Sequence, residues 1–408
     1  MSEQQDTSFG KIPKEWNVVK FSDALKIKGR IGWKGYKTSD LREYGPVVIG
    51  GVNIKSNIYL DYSTLTHLSR EKYEESPEIM LKKGDVLLVT RGNGIGDVGR
   101  FNGEYHEATI NPSVVIFSDF SGDSKFLYYF LSSPQGNDQI MSMEGGSSIP
   151  ALYQGLLKTL ALPFPKINTQ KAIASILSSL DDKIDLLHRQ NQTLEAMAET
   201  LFRQWFVEEA QEDWETAKIG AFCKTNTLSV TKDTTLKTIR YLDTGSLTEG
   251  KIDGFQIFEM SSAPSRARRI VKHNDVLIST VRPNQKHYGI IKHPDEDIII
   301  STGFCVITCE KINPHFIYIF LTSKEMTEYL HSIAEASTTT YPSLKPSDLE
   351  ILEFKLPPDA RLNAFSEYAD NAWNKIEYNH NQIHTLQKFR DTLLPKLMNG
   401  EVRVEYNK

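Results

Sequence analysis

A long internal duplication, with a period near 190 residues, limits what this 408-residue chain can fold into. KKGDVLLVTRG (82–92) matches KHNDVLISTVR (272–282), and KFLYYFLSS (125–133) matches HFIYIFLTS (315–323). LKTLALPFP (157–165) then matches LEILEFKLPP (349–358). The period far exceeds that of common solenoid repeats, so the pattern is a duplicated domain. In each copy, short runs of Val, Ile, Phe and Tyr broken by Gly, Asn and Pro read as strands. Residues 86–90, 113–117, 276–280 and 298–301 are such runs, while 126–132 and 316–322 read as short helices. Each copy is therefore a mixed α/β globule closed by one long helix, an α+β fold class overall.

The long helices carry a heptad seam. The first runs Ile173, Leu177, Leu180, Ile184, Leu187, Asn191, Leu194, Ala198, Leu201 and Trp205, with Phe206 beside its end. The second runs Leu362, Phe365, Ala369, Ala372, Ile376, Asn379, Ile383, Leu386, Arg390, Leu393 and Leu397. The seams match only if the helices run antiparallel with Asn191 opposite Asn379. Ile173 then lies 18 residues before one Asn and Leu397 lies 18 after the other. Two buried Asn cost stability but fix register. The expectation is an antiparallel coiled coil with pseudo-twofold symmetry, roughly 50 Å long at about 1.5 Å per residue. Pro395 near the end of the second seam should kink or fray that helix.

Composition excludes several classes. No apolar run approaches the ~18 residues of a membrane helix, and residues 1–14 lack the apolar core of a signal peptide. Three cysteines, Cys223, Cys305 and Cys309, are too few and scattered for a disulfide framework, so a cytoplasmic setting fits. Cys305 and Cys309 read as buried core residues. The net charge of −5 argues mildly against phosphate binding. Two stretches run against that average: 26–37, with Lys26, Lys28, Arg30, Lys34 and Lys37, and 265–273, with Arg266, Arg268, Arg269 and Lys272.

No catalytic motif is complete. GSLTEGK (245–251) begins like a phosphate-binding loop, but Ile252 stands where Ser or Thr must hold Mg²⁺, so it reads as a hairpin turn. GNGIGDVG (92–99) follows a strand as a dinucleotide fingerprint should, but no helix opens after it. Asn111-Pro112-Ser113-Val114 lacks the second Pro and the aromatic ring of an amino-methyltransferase. Pro294-Asp295 and Glu353-Phe354-Lys355 are too far apart in sequence to read as a nuclease motif. No metal-ligand spacing stands out.

Two stretches resemble a known family. TQKAIASILSSLDDKID (169–185) with LFRQWF (201–206), and LLPKLMNGEVRV (393–404), are similar to the central and distal conserved regions of type I restriction-modification specificity subunits. The entry to the first helix departs from the family pattern, with Lys166 and Thr169 substituted, but Gln170 is kept. The resemblance implies target-recognition domains at 1–166 and 211–357, with conserved helices at 167–210 and 358–408. It implies that each domain reads one half of a bipartite, asymmetric site in double-stranded DNA, the helices setting the unread spacer. It further implies docking of two methyltransferase subunits and of motor-nuclease subunits. S-adenosylmethionine, ATP and Mg would sit on those partners and no cofactor on this chain, which would be non-catalytic alone. A coiled-coil adaptor without DNA reading, or a nucleotide-binding enzyme using the glycine runs, are the rival readings.

Candidate DNA contacts follow from side-chain chemistry: Arg reads guanine, Asn and Gln read adenine, and Ser, Thr and Lys grip phosphate. The first domain offers Arg91 and Asn93, then Ser147, Ser148 and Tyr153, with Lys28, Arg30 and Lys34 as phosphate contacts. The second offers Arg282, Asn284, Gln285, Lys286 and His287, then Thr338, Thr339, Thr340 and Tyr341, with Arg266 and Arg268. The helix seam centres on Ile184, Leu187, Asn191, Leu194, Trp205, Phe206, Ile376, Asn379, Ile383 and Leu386.

Overall fold

The computed structural model describes residues 3–7, 10–30, 35–143, 151–232, 234–336 and 343–404. The chain divides into two compact units, Met1–Leu186 with Gln382–Lys408, and Leu187–Asn381.

In the first unit a four-stranded antiparallel sheet has the order Lys26–Gly29, Val114–Ser118, Val86–Val89, Val98–Arg100. The two middle strands are buried along their whole length, because both faces are covered. Side chains alternate between two cores. Val86, Leu88, Val115 and Phe117 join Phe126, Phe130 and Leu131 of the helix Ser124–Ser132. Leu87, Val89, Val114 and Ile116 instead join Val47, Ile49 and Ile110. These last three belong to a second sheet in which Leu41–Ile49 pairs in parallel with Ala108–Ile110. The Asp123 side chain accepts from Phe126 N and so caps the buried helix.

The second unit repeats this plan. Its four-stranded sheet has the order Cys223–Thr225, Phe304–Cys309, Val276–Ser279, Tyr288–Ile290. Val276, Ile278, Cys305 and Ile307 face one core, while Leu277, Phe304 and Val306 face another. Thr238–Leu242 pairs in parallel with Ile298–Ser301, as in the first copy. Cys223 and Cys309, read from sequence as scattered, lie directly opposite across one strand pair, with Sγ atoms 3.4 Å apart. Both remain free thiols.

The long helices span Ile167–Arg203, continued by a wider turn at Gln204–Glu208, and Asp359–Met398. Within each unit they pair antiparallel. In the first, Ile173, Ala174 and Leu177 share a core with Leu394, Leu397 and Met398. Arg390 Nη1 reaches the buried carboxylate of Asp181 at 2.8 Å, and the Tyr129 hydroxyl donates to the same group at 2.7 Å. In the second, Asn379 Nδ2 donates to Asn191 Oδ1 at 2.7 Å, the pairing that the seam spacing requires. Phe202 and Phe206 meet Phe365 nearby. Of the expected seam residues, Ile184, Leu187, Asn191, Phe206, Ile376, Asn379 and Ile383 are buried. Leu194, Trp205 and Leu386 are half-buried. Helix continues through Pro395 to Met398, where a missing N–H costs a single bond close to the end.

Gln170 fixes the start of the first long helix. Its amide donates to Pro165 O at 2.8 Å and its carbonyl accepts from Asp123 N at 2.9 Å.

Candidate nucleic-acid interface

In each unit one end of the four-stranded sheet gathers the exposed polar loops, and the same backbone devices build it twice. Asp85 Oδ2 accepts from Lys82 N at 2.8 Å, and Asp275 Oδ2 accepts from Lys272 N at 2.7 Å, setting the start of the central strand. Burial pushes both carboxyls above the ordinary Asp range, against the pull of those N–H groups. At the far end of the strand, Thr90 Oγ1 donates to Ser113 O, and Thr280 Oγ1 donates to Gly303 O. Leu152 N donates to Thr90 O at 3.0 Å, and Leu344 N to Thr280 O at 2.7 Å.

These bonds bring together two segments that sequence analysis named separately. In the first unit Arg91 bridges to Ala151, so the exposed Arg91 and Asn93 share an edge with the exposed Tyr153. In the second, Val281 bridges to Ser343 beside the turn 282–287. There Arg282, Asn284, Gln285 and Lys286 are exposed and Pro283 is buried beneath them. Half-buried His287 ties the turn to a neighbouring hairpin through Nδ1, which lies 2.8 Å from Leu247 O. Lys286 pairs with Glu249 of that hairpin at 2.7 Å. Arg266 joins the same edge, since its carbonyl accepts from Thr302 N next to Gly303. Arg266 and Arg268 are both exposed.

The remaining candidates are placed differently. Arg30 is buried, its Nε donating to Ile110 O at 2.9 Å and its Nη2 to Thr109 Oγ1 at 3.1 Å. Its guanidinium braces the two sheets from inside, and burial lowers its pKa. Lys28 is half-buried at the opposite end of the sheet, near Asp85 and Asp119. Lys34, Ser147, Ser148, Thr338, Thr339, Thr340 and Tyr341 lie outside the described residues.

Sequence reasoning missed the loops that leave the parallel strands at this edge. Gly51–Asn53 exposes Val52 at 71 %, an apolar group able to meet a thymine methyl. The equivalent turn Thr244–Ser246 is capped by Asp243. No local signal marks them, because only the parallel pairing brings them to this edge, at the C-terminal ends of strands where loops commonly carry ligands.

The glycine runs form no nucleotide cradle. The run 92–99 turns straight into the strand Val98–Arg100, and GSLTEGK bends between the paired strands Leu247–Thr248 and Lys251–Ile252. Among the described residues no group of His, Cys, Asp and Glu is placed to hold a metal. No described helix is long and apolar enough to cross a membrane.

The model of the type I restriction modification DNA specificity domain matches the chain twice, at residues 13–196 and 211–388. The chain belongs to this family. As a specificity subunit it is not the catalytic member of the enzyme it serves. The specificity subunit of type I restriction enzyme MjaIX from Methanocaldococcus jannaschii is 25 % identical over 99 % of this chain and 97 % of its own length. That of MjaVIII, from the same organism, is 22 % identical over 97 % and 95 %. The fold is shared with the solved S subunit of a type I system from M. genitalium, with a TM-score of 0.56 at 16 % identity over 96 % of this chain and 97 % of that one.

Proposed function

We propose that this specificity subunit reads a bipartite, asymmetric site in double-stranded DNA, one half-site per unit. The observation that carries the reading is the duplicated edge. The same Thr devices present Arg91, Asn93 and Tyr153 in one unit and Arg266, Arg282, Asn284, Gln285 and Lys286 in the other. Arg, Asn and Gln suit base edges, and Lys suits phosphate. The two edges differ in sequence, so the half-sites differ.

The long helices act as the spacer between half-sites and as the platform for partners. Two adenine methyltransferase subunits dock there and supply S-adenosylmethionine, and motor-nuclease subunits bring ATP and Mg. The chain works in the cytoplasm, where such partners meet DNA. The test is a genome-wide map of modified adenines with and without this gene. Loss of a single bipartite motif on deletion is the expected result. An unchanged map in cells expressing the gene would refute the reading.

A further inference from the structure

The two reading turns take positive φ at the same two positions with different residues. After Val86–Val89 the chain enters left-handed conformation at Gly92 (φ +94°) and Gly96 (φ +90°). After Val276–Ser279 it does so at the equivalent positions, Arg282 (φ +48°) and Lys286 (φ +57°). Glycine enters this region freely, whereas a side chain on Cβ is strained there. The first copy uses the residue the backbone prefers, and the second places two cations on the same strained sites. Both cations are exposed, and Pro283 is the buried residue of the turn. Lys286 is further matched by Glu249, itself at φ +45°, whose N–H donates to Lys286 O at 3.0 Å. Strained non-glycine residues of this kind cluster where side chains work on a ligand.

We infer that Arg282 and Lys286 are the specificity-determining pair of the second recognition unit, held in strained backbone for contacts that their side chains make to DNA. Arg282 faces a base edge and Lys286 a phosphate, which it takes in exchange for Glu249. The first unit's turn offers its backbone at those two places, beside the Arg91 and Asn93 side chains. This rests on the DNA-reading function proposed above. The two half-sites would then differ in salt response, the second losing affinity more steeply as salt rises.

Glycine substitution separates the roles. Arg282→Gly, Lys286→Gly and the double variant are prepared in the full-length chain together with its modification partners. Each is measured by thermal melting and by binding to duplexes carrying the site mapped in cells, across a salt series. The expected result is an unchanged or higher melting temperature, with affinity for the second half-site reduced about tenfold or more for Arg282→Gly. The salt slope should fall by about one for Lys286→Gly and stay nearly unchanged for Arg282→Gly, and first half-site discrimination should stay intact. Equal stability with unchanged binding and slope would overturn the inference. So would a fall in melting temperature, which would show that Arg282 and Lys286 serve to hold the turn. If the wild-type complex binds no bipartite duplex at all, the DNA-reading function itself is what fails.

Discussion

The Asn191–Asn379 pair should cost stability while it fixes register. Asn379 is fully buried and donates to Asn191 Oδ1 at 2.7 Å and to Gln190 Oε1 at 3.0 Å. Asn379 Oδ1 and Asn191 Nδ2 are buried with no partner. Each orphaned atom costs about 1–3 kcal/mol, while a made hydrogen bond returns about 0.5–1.5 kcal/mol. Changing both residues to Leu removes two orphans, the bond between them and the bond to Gln190, so the second unit should gain about 1–3 kcal/mol. Asn379→Leu alone leaves both polar atoms of Asn191 unpaired and should cost about 1 kcal/mol. Asn191→Leu removes one orphan and keeps the bond to Gln190, so it should gain about 1 kcal/mol. Urea melts followed by tryptophan fluorescence, together with cysteine cross-links across the seam, give stability and register. The double variant should be the most stable and should cross-link in more than one register. Strictly additive single effects, or a double variant weaker than wild type in a single register, would refute the reasoning.

Other consequences are as direct. Asp181→Ala strands the Tyr129 hydroxyl and the partly exposed Arg390, and should cost the first unit about 2–4 kcal/mol in a chemical melt; replacing all three by Leu, Phe and Met should restore most of it. Arg30→Ala should destabilise the first unit by a similar amount, about 2–4 kcal/mol, without changing the salt slope of DNA binding, because its guanidinium is bonded inside the fold. A changed slope with unchanged melting would contradict that. Burial, with Glu199 adding repulsion, pushes Glu195 up to about 7 from 4.5. The folded form therefore carries a penalty that is full above about pH 7 and fades as pH falls toward 4.5. Burial pushes His315 down to about 3, so it begins to oppose folding only as pH falls below 6.5. Between about pH 8 and 6.5 relief of the Glu195 penalty should contribute on the order of 1 kcal/mol to the second unit, a contribution that Glu195→Gln should remove. A Gln variant whose stability has the same pH slope as wild type would count against it.

Much of this was legible in the sequence because the signals are local and periodic. The seam repeats every three or four residues, so its antiparallel pairing and the Asn191–Asn379 contact follow from spacing alone. Non-local pairing was not legible. Asp181 carries no local sign of its burial, although Arg390 at an apolar seam position was the clue to its partner. In KIKGR, Lys26, Lys28 and Arg30 share one side of a strand, and nothing local shows that this side runs from solvent into the interior. Cys223 meets Cys309 only through a strand pairing that spans 86 residues. Val52 reaches the candidate edge only because two strands pair in parallel across three intervening strands and a helix.

The central claim is that two reading units are spaced by one helix pair. Adding one heptad to each helix, after Gln192 and before Tyr378, keeps the seam in register and lengthens the pair by about 10 Å. Maps of modified adenines should then show both half-sites unchanged and the unread spacer longer by about 3 base pairs, at about 3.4 Å each. A folded variant that keeps the original spacer, or that reads a different half-site, would contradict the account.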